Sequence, residues 1–190
     1  MKIQVEVSAR HIHLSQQDLE VLFGKDYNLK VLKQLSQPEE FSAEELVDIE
    51  INGKKFSKVR IVGPVREKTQ IEISKTDAVF LGVNPPINLS GNLENSLPIR
   101  LTGPAGFLDK ENGLIIAKRH IHCGEDEAKK LKLKNNDIVS VKIEGERGLV
   151  FDNVIVRIKD GYALSMHIDT DEGNSANINK VAQGIIVSLR

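Results

Sequence analysis

The chain has 190 residues, room for one ordinary domain or two small ones. Its 26 Lys and Arg against 27 Asp and Glu leave a formal charge of -1 without a basic stripe, so nucleic acid is not an expected partner. No stretch approaches the ~18 continuous apolar residues of a membrane span, and the single cysteine, Cys123, cannot form an intramolecular disulfide; a cytoplasmic protein with no membrane partner is expected.

In chain order, Met1–Val7 alternates polar and apolar residues and lacks the apolar centre and cleavage site of a signal peptide, so it reads as a strand. Arg10-His11-Ile12-His13 follows. Ser15, with Asp18 three positions on, then caps a short helix whose apolar face is Leu19, Leu22 and Phe23 and whose stop is Gly24. The acidic run of Glu39, Glu40, Glu44 and Glu45 reads as a solvated helical face. Asp48–Lys54 reads as a strand entering an Asn-Gly turn. Val59–Val62 and Thr69–Ser74, joined through Gly63-Pro64, form a hairpin-like pattern. Pro85-Pro86 and the Asn88–Ser96 stretch make the clearest linker.

Beyond that linker the chain repeats itself. Arg119-His120-Ile121-His122 echoes the first motif, and Gly124 with Glu127 echoes its helix cap. Asp137–Ile143 is another alternating strand, and Val154–Ile158 with Leu164–Asp169 forms a second hairpin-like pattern. Superposing the two patterns lays Glu72 on His167. With few aromatic residues and many short strands, the fold class is mainly β: two similar β-barrel domains with short capping helices, related by an internal repeat.

Residues two apart on a strand share a face. His11 with His13, and His120 with His122, therefore each converge two imidazoles on one point, while Ile12 and Ile121 face a core. The repeat nominates Glu72 and His167 as third ligands, so all five histidines enter one of two metal sites. Zinc suits such donors, although imidazole also accepts cobalt or iron. Cys123 follows His122 directly, points to the opposite face and reads as buried filler. Arg66, in the turn ahead of Glu72, suits bidentate recognition of phosphate or carboxylate.

Together, Ser8–His13, Gly63–Arg66, the Glu72 strand, Asn88–Gly91, Leu101–Pro104 and Ala117–His122 resemble the PduL-type phosphate propanoyltransferases, from Val5 to about Ile178. The resemblance implies two β-barrels with an interfacial dinuclear zinc site and transfer of a short acyl group, propanoyl or acetyl, between coenzyme A and phosphate in propanediol degradation. One zinc would be held by His11, His13 and Glu72 and meet the coenzyme A sulfur. The other would be held by His120, His122 and His167 with water or phosphate. Arg66 matches the family's phosphate-contacting arginine, and Ser90 lies in a family motif at the cofactor side.

The resemblance also implies that the strand before each motif pairs in the opposite barrel. One domain then spans 11–117 and the other 118–190, completed by 1–10. The partners are coenzyme A, acyl phosphate and phosphate, and a homo-oligomer is expected. The chain is expected to lack the N-terminal extension that targets relatives to bacterial microcompartments, with packaging by another route open. A dinuclear zinc hydrolase and a non-enzymatic zinc-binding protein are the competing readings; structural zinc sites are closed by four protein ligands, and three per site are found here.

Overall fold

The protein is described from a computed structural model covering residues 1–189, with side chains described to residue 187. The first half runs β1 (Lys2–Val7), β2 (His11–His13), α1 (Gln16–Phe23), β3 (Val31–Gln34), β4 (Phe41–Ile51), β5 (Lys54–Gly63), β6 (Gln70–Ile73), α2 (Lys75–Leu81), β7 (Ile87–Asn88), β8 (Leu97–Thr102) and β9 (Phe107–Ala117). The second runs β10 (His120–Cys123), α3 (Glu125–Leu131), β11 (Ile138–Ile143), β12 (Leu149–Ile158), β13 (Ser165–Ile168), α4 (Thr170–Ser175) and β14 (Val181–Leu189).

The strands close into two six-stranded barrels. One is the ring β4-β5-β2-β6-β9-β8, with β3 and β7 added outside it on β4 and β9. The other is the ring β11-β12-β10-β13-β1-β14. Read in that order, both rings follow one sequence of pairings: antiparallel, parallel, antiparallel, parallel, antiparallel, antiparallel. The repeat in sequence is thus a repeat in topology. By compactness the chain divides into residues 1–9 with 118–190, and residues 10–117; β1 is a strand of the first unit although its chain neighbours belong to the second.

Each barrel is filled by the inward half of its alternating strands. Ile12, Ile61, Ile71 and Leu114 are fully buried in one core, and Val5, Ile121, Val156 and Met166 in the other. Burying one such Ile or Leu contributes about 1.5–3 kcal/mol. The four helices among the described residues are short; Ser15, Ser74 and Asp169 cap α1, α2 and α4 by accepting from a backbone N–H three residues on, whereas α3 starts at Gly124 without a side-chain cap.

Three sequence expectations change. The two hairpins do not form: β2 lies between β5 and β6, and β10 between β12 and β13, parallel to one neighbour and antiparallel to the other. Alternation marks strands without naming their neighbours, and residues 64–69 can cross the ~9.5 Å that separates strands two apart in a sheet. The acidic run is no helix. Glu44 and Glu45 sit in β4, where alternation with Ala43, Val47 and Ile49 turns Glu45 inward to 6% exposure; it accepts from Tyr27 Oη at 2.9 Å and Lys30 N at 3.2 Å. Finally, Asn88–Ser96 joins no two domains. It lies inside the 10–117 unit, with β7 paired to β9 and Ser96 Oγ accepting from Gly113 N at 2.9 Å. Turn-forming residues reverse a chain within a barrel as readily as they link domains.

Candidate metal centre

Register builds the first donor group. In the β2–β6 ladder His11 is paired with Glu72 and His13 with Gln70, so the two histidines and the carboxylate share a face while Ile12 and Ile71 fill the core behind them. His11 Nε2 and His13 Nε2 are 3.2 Å apart, and His11 Nε2 is 3.6 Å from Glu72 Oε2. The three donor atoms lie within 4.8 Å of one another and could hold a metal ion.

His13 Nδ1 lies 3.1 Å from the Val62 carbonyl. A carbonyl only accepts, so Nδ1 carries the hydrogen and Nε2 presents its lone pair to the group. Burial, with the nearby His11 and the Arg66 guanidinium, holds the His13 pKa well below its ordinary value and keeps the ring in the neutral, ligating form.

The second group repeats the construction. His120 is paired with His167 and His122 with Ser165 across β10 and β13. His120 Nε2 and His122 Nε2 are 2.8 Å apart, and His120 Nδ1 donates to the Lys118 carbonyl at 2.9 Å. His120, His122 and His167 likewise present three donor atoms within 4.8 Å of one another. Ser165 Oγ is 3.1 Å from His167 Nε2, and the Tyr162 ring packs edge-on to His122.

Both sets suit zinc. Ligands ~2.0–2.1 Å from a tetrahedral ion stand ~3.3 Å from each other, close to the observed nitrogen separations. Each set could supply three protein ligands, the number that leaves a fourth position for substrate or water.

The structure also brings Arg66 and Ser90 to the first group. Arg66 donates to Ser90 Oγ at 3.1 Å and to Glu40 Oε1 at 3.1 Å. Gln70 Nε2 donates to Ser90 Oγ at 2.9 Å and to Glu72 Oε1 at 2.5 Å, while Gln70 Oε1 accepts from Gly91 N at 2.7 Å. Gln70 therefore ties the Asn88–Ser96 loop to the carboxylate donor. Sequence reasoning missed Gln70 and Glu40. For Gln70 the signal existed, since it lies two residues before Glu72 on a strand and must share its face. Cys123 is fully buried in the core of its barrel, where burial raises its thiol pKa, and it belongs to neither donor group.

Fold and site together define a double-barrel protein with two clusters of transition-metal donors. The family model for phosphate propanoyltransferase matches residues 4–179. Similar proteins include the phosphate propanoyltransferase of Thermotoga maritima, 49% identical over 93% of this chain and 85% of that protein. Those of Lachnoclostridium phytofermentans and Enterococcus faecalis are 46% and 43% identical over 98% and 97% of this chain, and over 86% and 87% of their own lengths. The chain belongs to the phosphate propanoyltransferase family, a family of acyltransferases. No helix among the described residues is long and apolar enough to cross a membrane.

Proposed function

We propose that this chain transfers a short acyl group, propanoyl or acetyl, between coenzyme A and inorganic phosphate, at a dinuclear zinc centre whose ions are held by His11, His13 and Glu72 and by His120, His122 and His167. The observation that carries the reading is the matched register: a third donor stands opposite the first histidine of each His-x-His strand. Family membership supports the acyl and phosphate chemistry.

Within this reading Arg66 is the phosphate-binding group. Its guanidinium already donates to one carboxylate oxygen, Glu40 Oε1, and to the Ser90 hydroxyl beside it, so it is placed to meet an oxyanion. Fixing phosphate there turns an encounter of two like-charged substrates into an attack from a preset position. Gln70 keeps Glu72 oriented by donating to the oxygen other than the one nearer His11. When bound, zinc supplies Lewis acidity toward the thioester carbonyl and stabilises the departing thiolate. The reading sets the enzyme in the cytoplasm or inside a microcompartment, with coenzyme A, acyl phosphate and phosphate as its small-molecule partners.

The test is an acyl-CoA consumption assay, with and without phosphate, on metal-analysed protein. The expected result is two zinc ions per chain and consumption that requires phosphate and yields acyl phosphate. Consumption independent of phosphate would identify a hydrolase instead, and metal-free protein of full activity would end the zinc assignment.

A further inference from the structure

Each donor group is closed at the same end by the same device. Arg10, the residue before His11, makes a bidentate grip on Asp77, with Nε to Oδ2 at 3.0 Å and Nη2 to Oδ1 at 2.5 Å. Arg119, the residue before His120, grips Glu172 with Nε to Oε1 at 3.0 Å. Both acids belong to helices that leave the third-donor strand at once: Asp77 comes five residues after Glu72, and Glu172 five after His167. Both occupy the third helical position and close a capping box, with Ser74 in α2 and Asp169 in α4.

The aromatic neighbours repeat as well. The Arg10 guanidinium lies 4.2 Å from the Phe56 ring centroid and that of Arg119 5.5 Å from Phe151. His11 is paired with Arg60 and His120 with Ile155; Phe56 precedes the first of these partners by four residues, and Phe151 the second by four. The two halves differ in the third donor itself, carboxylate in one and imidazole in the other, yet keep arginine, acid and aromatic ring at equivalent positions.

The placement gives this arrangement its consequence. The β2–β6 and β10–β13 ladders each comprise only three residue pairs, and the pairs His11–Glu72 and His120–His167 are terminal in them. Terminal pairs open most readily. A charge-assisted bond just past the terminal pair, bidentate for Arg10 and through Nε for Arg119, onto an acid fixed in a helix cap, holds the two strands at that end together.

We propose that Arg10 and Arg119 are positioning residues for metal binding, each setting the spacing between the histidine-pair strand and the third-donor strand of its own barrel. The proposal rests on the zinc reading above. Arg10 acts on the His11, His13, Glu72 group and Arg119 on the His120, His122, His167 group, so their effects are separable.

The experiment measures zinc affinity by competition with a chromophoric chelator, in backgrounds that leave one group intact. In His122→Ala protein only the first group remains, and in His13→Ala protein only the second. Arg10→Met is expected to weaken zinc about 10–100-fold in the first background, the range for partners outside the ligand sphere, and to leave affinity unchanged in the second; Arg119→Met should do the reverse. Where a methionine variant does not fold, Arg10→Lys and Arg119→Lys, which keep charge but lose the fork, should show the same selectivity with a smaller loss. Equal affinity with and without the arginine, or equal loss in both backgrounds, overturns the proposal. Single-group proteins that bind no zinc while their arginines are intact would instead refute the zinc reading itself.

Discussion

Glu72 stands directly opposite His11 in the β2–β6 ladder, the position that His167 takes opposite His120 in the β10–β13 ladder. Carboxylate and imidazole are thus alternative third donors on one scaffold. Glu72→His should keep an ion in the first group, whereas Glu72→Leu should weaken zinc by more than the roughly 100-fold typical of partners outside the ligand sphere. Metal analysis after dialysis against a graded chelator series checks this, and equal zinc retention by the histidine and leucine variants would remove Glu72 from the ligand set.

Arg66 is shared between Ser90 and Glu40. Losing a charged hydrogen-bonding partner costs about 1.5–3 kcal/mol, so Arg66→Ala should raise KM for phosphate by about tenfold or more while KM for acyl-CoA changes little. If Arg66 binds phosphate as proposed, Glu40→Gln removes a carboxylate that would compete for its guanidinium, and should lower KM for phosphate. Initial rates with each substrate varied in turn test both, and an acyl-CoA-selective defect in Arg66→Ala would contradict the assignment.

Asp18 ties α1 to β9. Burial pushes its carboxyl pKa up, but hydrogen bonds from Thr69 Oγ1 and Lys110 Nζ outweigh burial and hold it below the ordinary value. A depressed folded pKa gives stability that is present above the unfolded pKa and lost as pH falls through the folded one. Asp18→Asn should therefore cost about 1–2 kcal/mol near neutrality, and the gap between variant and wild type should shrink below about pH 4. Urea unfolding at both pH values measures it; a gap that does not change with pH would exclude the linkage.

Gly184 in β14 has no room for a side chain, since an added Cβ would meet Val141 Cγ1 at 2.7 Å and Val5 Cγ2 at 2.9 Å. Overpacking a core costs about 1–3 kcal/mol. Gly184→Ala should lower the thermal midpoint, and Val141→Ala in the same chain should recover part of the loss. Additive losses in the double variant would show that the crowding is relieved elsewhere.

Local patterns revealed the repeat, the strand character of both motifs and the short helices that follow them, because alternation and capping are written in neighbouring residues. Glu72 and His167 emerged only by comparing the halves. The neighbours of β2 and β10 stayed hidden, since a strand inserted between two others leaves no mark on their connecting segment. Glu45 was misread because its charge dominated its place in the Ala43, Val47, Ile49 alternation, and its partners Tyr27 and Lys30 come from a distant stretch. Helices α2 and α4 were missed although Ser74 with Asp77 and Asp169 with Glu172 spell capping signals, because each helix is too short for an apolar period to show.

β1 closes its barrel from far away: the Met1 amine reaches the Ile186 carbonyl over a separation of 185 residues. During synthesis the 10–117 barrel can close from one continuous piece while β1 waits for partners not yet made, which places the costly long-range closure last. A nascent chain stopped before β14 leaves both β1 and β11 with an unpaired edge open to other chains. Loss of β14 is then felt at the N-terminus, because the edges it bares are of the kind that pair with other chains.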